Sequence, residues 1–167
     1  MRFDRVGSIC LATVLLAGCG KGEVYDRPPE QVRDLLRTVE VPLYVFGSSA
    51  DTDAVLDSSD PAKMVWNISA NGSRVMKVVA TLAPEGSVKT RVIVDVEGAT
   101  GGKFGDVEDR FKKLPGVKNM YLVTMREAVD STLDGRAFDI TATYPAMMAA
   151  SMANANKLFP KTSSEHR

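Results

Sequence analysis

Cysteine is almost missing from this 167-residue chain: its two copies, Cys10 and Cys19, both fall near the N-terminus. From residue 20 onward there are no thiols to pair, so packing rather than disulfides must stabilise whatever folds there. Histidine is scarcer still. The sole copy, His166, sits in the polar run 161–167, a composition typical of a disordered tail. Ser-His-Asp or Cys-His chemistry needs an imidazole held on a rigid scaffold, and catalytic zinc draws mainly on His and Cys ligands. The body of the chain therefore argues against both. An excess of one charge is missing too. With 21 basic against 21 acidic side chains, nothing recommends nucleic acid, or an electrostatic grip on anionic lipid, as a partner. The N-terminal apolar run, residues 6–16, is far shorter than the roughly 20 residues that cross a bilayer.

That run instead has the parts of a signal peptide in the right order. Arg2 and Arg5 give a positive start, the apolar stretch follows, and small residues precede Cys19. Leu16-Ala17-Gly18-Cys19 resembles the lipobox of bacterial lipoproteins. The resemblance implies cleavage before Cys19, a diacylglyceryl thioether on its sulfur, and usually a third acyl chain on the new amino group. Residues 1–18 are then signal peptide, and residues 19–27 are the acylated cysteine and a tether. Each buried methylene contributes about 0.8 kcal/mol, so two or three chains make release from the membrane negligible. In that family an Asp after the acylated cysteine tends to retain the protein at the inner membrane. Gly20 stands there, which favours a periplasm-facing position on the outer membrane of a Gram-negative envelope.

Residues 28–160 are long enough for a single domain with a core. Pro29 and the spacing of Val32, Leu35, Leu36 and Val39 predict a helix over 29–39. Val41 to Phe46 is β-branched and aromatic and reads as a strand, with Pro42 at its edge, followed by a polar loop over 47–61. Met64, Trp66 and Ile68 alternate with more polar neighbours, Asn71-Gly72 supplies a hairpin turn, and Met76, Val78, Ala80 and Leu82 resume the pattern. After Pro84-Glu85-Gly86, Val92, Val94 and Val96 continue it, giving an antiparallel meander with one apolar face. A short charged helix is expected from Asp106 to Leu114, ended by Pro115-Gly116. A long amphipathic helix over 118–134, closed by Gly135, covers the sheet. An extended piece over 137–143 and a last helix opened by Pro145 complete an α+β order. In that helix Met148, Met152, Ala155 and Phe159 are expected to face the core.

The clusters with chemical potential have plainer readings. Gly98 to Gly105 is glycine-rich and contains Lys103. It has three residues between Gly98 and Gly102-Lys103 where a P-loop has four, and Phe104 where a P-loop has Ser or Thr, so a connector or lid is expected. Asp51, Asp53, Asp57 and Asp60 could offer oxygen to calcium, but the sixth and twelfth positions of an EF-hand loop hold Leu56 and Ala62, which leaves turns and caps. Asp95, Glu97, Asp106, Glu108 and Asp109 read as a solvated face. No metal or cofactor is expected.

Glu23-Val24-Tyr25 before Pro29-Glu30-Gln31-Val32, the Pro84-Glu85-Gly86 turn before Thr90-Arg91-Val92, and the long helix after Lys118 resemble the helix-grip fold of START and polyketide-cyclase-like proteins. The resemblance covers about residues 22–135 and implies a curved sheet closed by a long helix over an apolar cavity. The expectation is a non-catalytic, membrane-tethered domain that binds an apolar small molecule or lipid between sheet and helix. Trp66, Met76, Val78, Val92, Met125 and Val129 are expected to line the groove. The alternative is an envelope interaction or assembly module that docks through its last helix; exposure of Met148, Met152 and Phe159 favours it.

Overall fold

The computed structural model describes residues 22–46, 51–101 and 103–158, with side chains as far as residue 153. The expected signal segment, Cys19, Phe159 and residues 160–167 with His166 lie outside the described residues. The fold is α+β: a five-stranded antiparallel sheet with helices on one face. Its strands are β1 (Glu23–Tyr25), β2 (Thr52–Asp57), β3 (Lys63–Ala70), β4 (Ser73–Pro84) and β5 (Thr90–Gly98), ordered β1-β5-β4-β3-β2.

The expected meander is β3–β4–β5. Asn71 and Gly72 turn the first hairpin with φ of 47° and 70°, the two left-handed residues that a type I′ turn requires. Alternation then puts Met64, Trp66 and Ile68 of β3, Met76, Val78 and Ala80 of β4, and Val92, Val94 and Val96 of β5 on one buried face. Two strands extend the meander beyond the sequence reading. Part of the loop expected over 47–61 is the edge strand β2, whose Ala54 and Leu56 turn half inward while Asp53, Val55 and Asp57 face water. Acidic side chains on an edge strand hinder pairing with other chains, and they also made the segment resemble a loop. The stretch expected to be tether, 19–27, contains β1, with Glu23 opposite Val92 and Tyr25 opposite Thr90. Gly22 precedes β1 with φ 155°, and a Cβ there would lie 2.7 Å from the Val92 carbonyl oxygen.

The helices are α1 (Pro29–Leu36), α2 (Leu43–Phe46), α3 (Val107–Lys113), α4 (Pro115–Asp134) and α5 (Ile140–Leu158). The strand expected over 41–46 is instead the single turn α2. It seats Phe46 flat against Tyr121, with ring centroids 5.1 Å apart and planes 11° from parallel, a contact that outweighs local β propensity. Asp106 caps α3 by accepting the Asp109 N–H at 2.8 Å. Pro115-Gly116 opens α4 rather than only ending α3. Gly135 closes α4 in the left-handed conformation at φ 68°. Met125, Val129 and Leu133 of α4, with Val32 and Leu36 of α1, cover the apolar sheet face.

The last helix departs most from expectation. It begins at Ile140, so 137–143 is not extended and Pro145 lies inside the helix. Asp139 sets the start by accepting the Thr141 N–H at 2.9 Å and the Thr141 hydroxyl at 2.6 Å. The methionines do not face the core: Met148 is 61% and Met152 70% exposed, whereas Thr143, Ala146 and Ala150 are buried. The reason is proximity. Gly116 of α4 lies in van der Waals reach of the α5 backbone, 3.6 Å from the glycine's Cβ position to the Ala150 Cα, and the small Thr143, Ala146 and Ala150 form the buried stripe of α5.

Candidate functional site

All six residues expected to line a groove lie on the inner face of the sheet or on α4 above it. Trp66 stands opposite Val78, and Val92 opposite Leu82. They are packed as core. Trp66, Val78, Met125 and Val129 are at most 2% exposed. Met76 and Val92, at opposite ends of this core, each also border a surface cavity.

The cavity beside Met76 is apolar and holds about 320 Å³. It opens where the β3–β4 hairpin meets the helices. Ala70, Val75 and Met76 form its floor, Phe46 one side, Phe104, Val107 and Phe111 another, and Val117 and Tyr121 of α4 the roof. Tyr121 is the hinge of the aromatic wall: it stacks on Phe46 and meets Phe111 at 5.9 Å with a 55° tilt. Burial pushes its hydroxyl pKa up, partly offset by the nearby Arg110 guanidinium. Arg110 is the one charged residue lining this cavity, and it donates to the Phe104 carbonyl. The glycine-rich stretch thus positions Phe104 as a wall, with Gly101 and Gly105 both near φ 72°; Gly102 lies outside the described residues. Nothing local in the sequence marks this site, because its walls come from α2, the hairpin, a loop and two helices.

A second opening, about 460 Å³, runs between α4 and the part of β5 beyond its pairing with β1, bordered by Gly22, Ile93, Val94, Asp95, Leu122 and Arg126. Its rim carries charge of both signs, so the aromatic cavity is the better match to an apolar ligand.

The carboxylates serve the scaffold. Asp57 accepts the Ser59 N–H, which holds its carboxyl below the usual range, and Asp60 accepts the Ala62 N–H. Asp95 pairs with Lys118, Glu97 with Lys77, and Glu108 accepts the Gly98 N–H at 2.8 Å. Among the described residues no three His, Cys, Asp or Glu side chains gather as metal ligands. Two buried polar contacts were not foreseen. The Tyr25 hydroxyl donates to Asp130, and burial raises the pKa of both groups. Glu127 accepts two bonds from Arg136 and the Asp139 N–H at 2.8 Å, which ties the α4–α5 turn to α4.

Arg136, and then the Asp139 N–H, hold the Glu127 carboxyl below its ordinary range against the opposing effect of burial. A folded-state pKa below the unfolded one contributes stability above the ordinary Glu value of about 4.3, and the contribution is lost as pH falls through the folded pKa. Glu127→Gln is therefore expected to lower the melting temperature at pH 7 and to flatten its decline on acidification. An unchanged acid slope would show that the pair contributes nothing.

Comparison with protein-family models, curated proteins and solved structures returns no match to this chain.

Proposed function

We propose that this chain is a lipid-anchored, periplasm-facing envelope protein that binds an apolar small molecule or lipid without transforming it. The observation that carries the binding reading is the cavity walled by Phe46, Phe104, Phe111 and Tyr121, of a size and lining suited to a small apolar ligand. An antiparallel sheet laid along a long helix, with an apolar opening at one end, also supports the helix-grip resemblance. The anchor reading rests on Leu16-Ala17-Gly18-Cys19, and Gly20 favours the outer membrane.

The test is native mass spectrometry of the protein purified from its own envelope, followed by titration with the dye N-phenylnaphthylamine. A bound lipid-sized mass and saturable dye fluorescence are expected. Ala70→Phe, which fills the cavity, should remove both while the fold persists by circular dichroism. Absence of both signals from the parent protein, or their persistence in Ala70→Phe, would overturn the reading.

A second reading, docking to another envelope protein, is favoured by the exposure of Met148 and Met152 on α5.

A further inference from the structure

We infer that the outward face of α5 is a self-association surface whose occupant is the α5 of a second copy of this chain. The inference deepens the docking reading and rests on it. From Ile140 to Asn156 the helix has no charged side chain, whereas α1, α3 and α4 each carry several. A helix without a charged face is normally buried. Among the described residues α5 nevertheless packs essentially on α4 alone and leaves Ile140, Tyr144, Met148 and Met152 exposed.

Those four side chains recur every fourth residue and so form one ridge. Each is followed by a smaller exposed neighbour, Thr141, Pro145, Ala149 and Ala153, which form a parallel furrow of the same pitch. A ridge beside a matching furrow is complementary to its own copy: two such helices interdigitate when they cross at about −50° around a two-fold axis. Charge allows the same partner. A charged surface laid on this face would lose hydration without gaining a counter-charge, and among the described residues no other helix is uncharged over such a length.

The area sets the strength. The 19 residues of α5 span about 28 Å, so one face about 10 Å wide offers at most roughly 300 Å² per copy. Two copies fall well short of the roughly 1,200 Å² at which stable interfaces begin. The pair is therefore weak in dilute solution and forms where chains are confined to one membrane, which raises their effective concentration.

The scarcity of cysteine makes the test direct, because in an acylated chain an introduced thiol is the only free one. Met148→Cys lies at the expected crossing point. Membranes containing this protein, oxidised with copper phenanthroline, should yield mainly a disulfide-linked dimer. Val55→Cys, equally exposed on β2, should remain monomeric. Adding Ala149→Arg to Met148→Cys should abolish the crosslink without moving the melting temperature, since Ala149 faces solvent. The parent chain is the control for the anchor. If it crosslinks through an unacylated Cys19, the anchor reading fails, and the same comparison on a Cys19→Ser background at high protein concentration decides the α5 pair. Absence of a Met148→Cys dimer, equal crosslinking of Val55→Cys, persistence of the dimer with Ala149→Arg, or capture of a different protein overturns the inference.

Discussion

A Cys19→Ser chain expressed in its native host is expected to leave the detergent phase of a Triton X-114 partition and appear in the aqueous phase, or to accumulate uncleaved. The proposed anchor is entirely covalent: acyl chains on Cys19, each contributing about 0.8 kcal/mol per buried methylene. Removing the sulfur removes them all. Among the described residues no helix is long and apolar enough to cross a membrane, and residues 6–16 are too few to do so. A variant that matures normally and stays in the detergent phase would refute the lipobox reading.

Trp66→Ala is expected to cost about 3–5 kcal/mol, the range for truncating a large aromatic in a core that cannot collapse around the gap. Trp66 is 2% exposed on β3, opposite Val78 on the central strand β4 and Leu56 on the edge strand β2. Because it is the single tryptophan, the parent protein should also emit at short wavelength and resist quenching by iodide. Chemical denaturation of the two proteins measures the first effect. A loss below about 1 kcal/mol, within the ordinary range of point mutations, would place the indole outside the core.

The fold was legible where a signal was local. The meander is specified by two-residue alternation and by Asn71-Gly72, whose backbone needs no tertiary help to turn. The long helix follows from one apolar stripe and the stop at Gly135. The reading failed where packing across the molecule decided the outcome. Val41 to Phe46 has strand composition, yet Phe46 stacks on a tyrosine 75 positions later. Thr52 to Asp57 looks like a loop because an edge strand displays its aspartates. In α5 apolar and small residues lie on every side, so periodicity could not say which stripe is buried. The buried stripe is the one that meets α4, where Gly116 lies against Ala150. The aromatic cavity was illegible for the same reason, whereas Met76, on its floor, was within reach of alternation alone.

The pairing of β1 with β5 changes how far the domain can travel. Gly22 is already pressed against the Val92 carbonyl, so between an acylated Cys19 and the sheet only Gly20 and Lys21 remain to pay out. Three backbone steps reach at most about 11 Å, and the headgroup layer itself takes up about half or more of that. A chain so moored cannot sweep the periplasm. On the proposed anchor the domain would ride on the lipid surface with the β1 corner nearest it, its encounters would be two-dimensional, and any ligand or neighbour would have to come to that same surface.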